Sequence, residues 1–317
     1  MSMEKSNKIA FVFPGQGAQY PGMGKELAEN FPVAMKTFEE AGEALGIDMK
    51  ALCFEGSEED LKLTENTQPT ILTVSVALAR ILQEKGISAD YTAGLSLGEY
   101  AAHVLSQSIG FQDAVKLVRK RGMYMQQAVP AGEGTMAAIM GLDREPLMEG
   151  LTEASTVGVV EAANFNCPGQ IVIAGKTAAV EKACEILKAK GAKRAMVLPV
   201  SAPFHSSMLK PAGVKLAEEL ENVQVNDMKI PVITNVNADV IKTKDEIKEN
   251  LIRQVSSSVL WEDSVVRMLN EGVGTFIEVG PGKALSGFIK KIDKEATILN
   301  VEDMASLTKT LEALGVA

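Results

Sequence analysis

Metal-binding and disulfide-forming side chains are scarce in this chain of 317 residues, which has three cysteines (Cys53, Cys167, Cys184) and two histidines (His103, His205). The cysteines show no C-x-x-C spacing and are odd in number, so neither a metal site nor a disulfide framework is expected. Such usage suits a reducing cytoplasm, the expected location. No apolar run approaches the ~18 residues needed to span a bilayer. The lead-in at residues 1–8 passes into Ile9–Phe13, too short an apolar run for a signal peptide, so no membrane partner is expected. An excess of positive charge is also missing. Lys and Arg total 32 against 41 Asp and Glu, a net charge of −9, which argues against a nucleic-acid partner. No repeat, low-complexity segment or nucleotide-redox signature is visible, and no bound cofactor is expected.

What is present is 46% hydrophobic and 23% charged residues, material for a globular protein of one large or two modest domains. The stretch Ala89–Ser106 organises it. At its centre Gly94-Leu95-Ser96-Leu97-Gly98 is a G-x-S-x-G pattern, preceded by a strand-like lead-in and followed by the helix-forming run Leu97–Leu105. A serine on a sharp strand-to-helix turn holds its hydroxyl clear of the sheet. It also aims the next backbone N–H where an oxyanion can form.

Along the rest of the chain, Ile9–Phe13 reads as a buried strand ending in the glycine-rich turn Pro14-Gly15-Gln16-Gly17. Helices are expected over 24–30, 32–45, 57–63 and 67–85, the last with Pro69 in its first turn. A further helix over 112–129 places Ala114, Val118, Arg121 and Met125 within about 40° of one another, on the face turned inward. A buried guanidinium is costly without an anion, so Arg121 is either a structural ion-pair partner or a receptor for a ligand's carboxylate or phosphate. From Gly132 to Val200 the order changes to β-α-β-β-α-β, the ferredoxin-like pattern. His205 then lies in a loop before a helix, with Ser206 or Ser207 able to cap it. Strands over 231–237 and 275–279 and helices over 245–255, 261–270 and 283–291 complete a mostly parallel α/β pattern.

A nucleophilic Ser96 needs a base within hydrogen-bond reach. His103 lies seven residues along the same helix, about 10.5 Å of axial rise away. By elimination His205 is the candidate base. The group that orients its imidazole is left open, with Asp113 and Asp143 formally available.

Several blocks together resemble one family, the malonyl-CoA:acyl carrier protein transacylases. They are Phe13–Gly17, Gly94–Tyr100, Arg121-Gly122, Asn164–Asn166 leading into Pro168-Gly169-Gln170, Pro203-Phe204-His205, Arg253-Gln254 and Glu278–Lys283. The resemblance implies an α/β-hydrolase-like large domain (residues 1–131 and 201–317) with an inserted ferredoxin-like (βαββαβ) subdomain (132–200). It implies Ser96 as the acylated nucleophile, His205 as the base and the Gln254 backbone carbonyl as its orienting group. It further implies the Gln16 and Leu97 N–H groups as the oxyanion hole. Arg121 maps to the malonyl-carboxylate partner, and Phe204 and Asn164 are further substrate-binding positions. The family often has histidine directly before the nucleophile; this chain has Leu95.

The implied reaction transfers malonyl from malonyl-CoA to the phosphopantetheine thiol of acyl carrier protein, for fatty-acid biosynthesis. The CoA thioester and the phosphopantetheine arm are then substrates, and a monomer is the default expectation. Alternatives are a serine thioesterase or hydrolase using the same Ser-His pair, or a trans-acting acyltransferase of a polyketide pathway. Lys190, Lys193 and Arg194, or Lys283, Lys290, Lys291 and Lys294, are candidate docking clusters for the carrier.

Overall fold

The computed structural model describes residues 8–200 and 202–316. The N-terminal lead-in and Ser201 of the loop before His205 fall outside the described residues, apart from Lys8. The strands are β1 (Lys8–Phe13), β2 (Tyr91–Gly94), β3 (Gly134–Met140), β4 (Val160–Cys167), β5 (Gln170–Lys176), β6 (Arg194–Val197), β7 (Val232–Ile233), β8 (Val273–Val279) and β9 (Thr297–Val301).

Two sheets form. The larger is parallel throughout, in the order β7-β2-β1-β8-β9. β1 shows why its sequence is continuously apolar. Phe11 and Phe13 enter the core on one face, while Ala10 and Val12 pack with Trp261 and Phe276 on the other. Both faces are covered by helices, so the period-two alternation of side chains never meets water.

The smaller sheet is antiparallel, in the order β4-β5-β3-β6. Counted within the segment this is 2-3-1-4, the ferredoxin-like order. Ile171 and Ile173 of β5 face the helices Arg144–Ala154 and Thr177–Ala189, whereas Val172 and Ala174 face the large domain. A bridge from Asn164 to Val259 ties β4 to the large domain.

Several expectations need correction. The long helix runs Thr64–Glu84, so Pro69 lies inside it and not in its first turn. Its missing N–H costs one ladder bond, tolerated in a helix held by packing along nearly its whole length. The strand expected over 231–237 is reduced to Val232–Ile233, because the chain turns at once to bring Asn235 under the active site. Neither Ser206 nor Ser207 caps the helix after His205. Ser206 Oγ instead donates to the Pro203 carbonyl, and the short 3₁₀ turn Ser207–Leu209 precedes the helix Lys210–Glu221. Met49–Glu55, capped by Asp48, and the final β9 and helix Met304–Ala313 are elements beyond those expected from the sequence. No helix among the described residues is long and apolar enough to cross a membrane.

Candidate active site

β2 ends at Gly94 and the next helix begins at Gly98, leaving Leu95, Ser96 and Leu97 to make the turn. Ser96 has φ of 53°, the left-handed region that costs a non-glycine residue energy. The turn is held from below by Asn235. Its Oδ1 accepts the Ser96 N–H at 2.6 Å, and its Nδ2 donates to the Gly94 carbonyl at 2.7 Å. Gly98 lets the helix start against β1, since a Cβ there would lie 2.2 Å from the Phe13 carbonyl oxygen. Gly98→Ala is therefore expected to destabilise the fold by about 1–3 kcal/mol or more. Calorimetry checks this, and an unchanged unfolding transition would show that the turn relaxes freely.

The Ser96 hydroxyl meets His205 Nε2 at 2.7 Å. His205 also has positive φ, 60°, and its Nδ1 lies 2.9 Å from the Gln254 backbone carbonyl. A carbonyl only accepts, so Nδ1 carries the proton and Nε2 is the acceptor facing serine. Neither Asp113 nor Asp143 is needed in this role. Burial, and then the positive charge of Arg121, hold the imidazole down at about 3 against backbone hydrogen bonds that act to raise it. His103 is elsewhere: it is fully buried, with Nδ1 at 2.9 Å from Ser108 Oγ.

Arg121 is 1% exposed, although it is a full guanidinium. Its helix, Phe111–Gln127, packs on Thr64–Glu84 through Gly122, where a Cβ would lie 2.5 Å from the Thr64 carbonyl oxygen. Nη1 donates to Gln68 Oε1 at 2.8 Å, and Nη2 donates to Gln254 Oε1 at 3.0 Å and Ser96 Oγ at 3.1 Å. All these partners are neutral, and its buried Nε has no partner among the described residues. Burial lowers the Arg121 pKa, with Tyr100 and Glu99 opposing. The arrangement is a fixed cation beside a nucleophile, lacking a directly bonded anion.

A cavity of about 430 Å³ opens over these groups, lined by Gln16, Leu97, Arg121, Phe204 and His205 on the large-domain side. The Gln16 and Leu97 N–H groups make no hydrogen bond within the described chain. Both are thus available to an oxyanion over Ser96. Asn164 and Asn166 line the opposite wall, and Asn166 Oδ1 is buried without a partner among the described residues. A register shift between Ala162 and Asn164 turns these amides toward the cavity. Before it, even-numbered Val160 and Ala162 face the subdomain helices; after it, odd-numbered Phe165 does. No group of three or more potential metal ligands occurs among the described residues.

Three residues of this network were missed from sequence: Gln68, Glu99 and Asn235. Glu99 is fully buried, and its Oε2 accepts the Asn235 N–H at 2.9 Å and Gln254 Nε2 at 2.8 Å. Burial raises its carboxyl to about 7, against those hydrogen bonds and the Arg121 charge. His103 Nε2 stands 4.0 Å from Glu99 Oε1, too long for a hydrogen bond. Burial also holds His103 down at about 3, so the two form no ion pair near neutrality. The available signal was a charged residue at the start of the apolar elbow helix.

Comparison with known proteins places these features in a family. The acyl transferase domain matches residues 10–310. The malonyl CoA-acyl carrier protein transacylase of Bacillus subtilis (strain 168) is 50% identical over 309 residues, covering 97% of this chain and 98% of that protein. The protein of the same name from Escherichia coli (strain K12) is 46% identical, covering 96% and 99%. The crystal structure of malonyl CoA-acyl carrier protein transacylase from Clostridium perfringens superimposes with a TM-score of 0.95 at 49% identity, covering 97% of each chain. A malonyl-transacylase in complex with a type II polyketide acyl-carrier protein matches with a TM-score of 0.94 at 44% identity, covering 96% and 99%.

Proposed function

The chain belongs to the malonyl CoA-acyl carrier protein transacylase family, and on that premise we propose that it moves malonyl from malonyl-CoA to a carrier-protein thiol through an ester on Ser96. The observation that carries this reading is Arg121. A buried guanidinium hydrogen-bonded only to neutral groups, with Nη2 3.1 Å from the nucleophile oxygen, suits an acyl group ending in a carboxylate.

In the first half-reaction, Ser96 Oγ attacks the thioester carbonyl while His205 Nε2 takes its proton. The Gln16 and Leu97 N–H groups receive the oxyanion, and the free malonyl carboxylate pairs with Arg121. Collapse of the tetrahedral intermediate breaks the C–S bond. His205 returns its proton to the CoA sulfur, leaving malonyl-Ser96. In the second half-reaction the phosphopantetheine thiol of the carrier gives its proton to His205 and attacks the ester, and Ser96 leaves as the hydroxyl. Such ping-pong chemistry needs one base, one hole and one anion receptor, each used twice. Phe204 and Asn164 bound the acyl and pantetheine space, and a relative solved with a carrier protein supports the choice of acceptor. The product serves fatty-acid synthesis.

Because burial keeps His205 neutral, no proton has to be removed from it before catalysis. The sign is that of a depressed imidazole: the neutral, competent form persists as pH falls below the ordinary value of about 6.5. The acid limb of kcat/KM is therefore expected well below pH 6.5, and a limb at or above it would contradict this environment for the base. The function itself is tested by CoA release from malonyl-, acetyl- and methylmalonyl-CoA, with and without holo-carrier protein. Carrier-dependent release with preference for malonyl is expected. Release beyond the single equivalent of acylation, sustained without carrier, would instead indicate hydrolysis.

A further inference from the structure

Resting on the function proposed above, we propose that Glu99 is a positioning residue for substrate choice. Its carboxylate orients the Gln254 side-chain amide, which fixes Arg121 opposite Ser96. The backbone and side chain of Gln254 do separate work. The carbonyl holds His205 at 2.9 Å, while the side-chain amide joins Glu99, the Ser96 carbonyl and Arg121.

An amide has two ends of nearly equal shape, and only hydrogen bonding decides between them. Gln254 Nε2 donates to Glu99 Oε2 at 2.8 Å and to the Ser96 carbonyl at 3.0 Å. Its Oε1 is thereby left to accept from Arg121 Nη2 at 3.0 Å. Reversed, the NH₂ would face a guanidinium that only donates, and the oxygen would face two acceptors. Glu99 is itself pinned, because the Asn235 N–H requires an acceptor at the same Oε2. Donors therefore converge on Glu99 from both sides, from the Asn235 N–H and from Arg121 through Gln254, so this assignment satisfies each partner. Gln68 holds the other arm of the fork at 2.8 Å.

Glu99 does not line the cavity. It reaches the site through two partners: Gln254, which fixes Arg121, and the backbone of Asn235, whose side chain holds the Ser96 turn. A loss common to both substrates reports the second path, and an excess loss on malonyl reports the first. What the chain requires at position 99 is an acceptor at Oε2. A glutamine there can present its oxygen to Asn235 and Gln254 and turn its NH₂ toward His103 Nε2, which has no partner among the described residues. Glu99→Gln should preserve the arrangement, whereas Glu99→Leu should release it.

The test compares kcat/KM for malonyl-CoA and acetyl-CoA in the full chain carrying Glu99→Leu, Glu99→Gln, Gln254→Met or Arg121→Ala. Gln254→Met keeps the backbone carbonyl for His205 and removes only the side-chain amide, so it carries the test if Glu99→Leu does not fold. For Glu99→Leu and Gln254→Met the malonyl value is expected to fall on the order of 10- to 100-fold more than the acetyl value, the scale of a misplaced positioning group. Glu99→Gln should stay within about threefold of wild type on both substrates, since it retains the same positioning. Parallel losses on both substrates in folded Glu99→Leu and Gln254→Met would overturn the proposal, as would a Glu99→Gln enzyme as defective as Glu99→Leu. If Arg121→Ala shifts the malonyl-to-acetyl ratio and the other two variants do not, the relay alone fails. If Arg121→Ala leaves the ratio unchanged, the carboxylate-binding reading fails with it.

Discussion

Ser96→Ala is expected to abolish covalent acylation by malonyl-CoA and to lower carrier malonylation by on the order of 10⁴-fold or more, the scale seen when a catalytic serine is removed. The size follows from how the site is built. Asn235 holds Ser96 at φ 53°, and its Oγ lies 2.7 Å from a base whose other nitrogen is already committed to a carbonyl. Nothing nearby can substitute. Cys53, Cys167 and Cys184 are buried, and burial raises all three thiols above their ordinary pKa, which disfavours the thiolate. Intact-protein mass spectrometry of wild type and Ser96→Ala mixed with malonyl-CoA reads the outcome directly. An adduct that persists in the variant would remove Ser96 from the mechanism.

Arg121→Ala is expected to lower kcat/KM for malonyl-CoA by on the order of 10²- to nearly 10⁴-fold, the equivalent of about 3–5 kcal/mol for breaking a buried ion pair. Acetyl-CoA has no carboxylate and forms no such pair, so its loss should be much smaller. Some common loss is built in, because Arg121 also donates to Ser96 Oγ and Gln254 Oε1 and its removal leaves the buried Gln254 oxygen short of a donor. The ratio of the two specificity constants is accordingly the informative quantity. Steady-state transfer assays with both thioesters measure it, and an unchanged ratio would contradict carboxylate pairing.

Much of this site could be read from local sequence because local rules dictate it. A strand-turn-helix around Ser96 is written in four or five residues, and the inward position of Arg121 follows from helical period alone. Choosing His205 over His103 needed only the rise of a helix. Asn235 and Glu99 were not legible in the same way. Their importance comes from contacts across the chain, with the Ser96 N–H reaching residue 235 and Gln254 reaching residue 99. Asn164 shows a second limit. Strand alternation assigns it a face, but the shift in β4 decides which face, and nothing in the neighbouring residue types announces that shift. Pro69 is a third: as a first-turn marker it sets the helix start at 67, whereas the helix begins at Thr64 and packing keeps Pro69 inside it.

The most direct test of the account is a chase of the acyl-enzyme. The full chain is mixed with malonyl-CoA, freed of excess thioester, and divided between holo-carrier protein and buffer. Both enzyme and carrier are then followed by mass spectrometry. The account predicts one malonyl group on the peptide containing Ser96, retained in buffer and passed to the carrier phosphopantetheine within the time of a turnover. Malonyl on any other residue, or free malonate released equally in both arms, would contradict it.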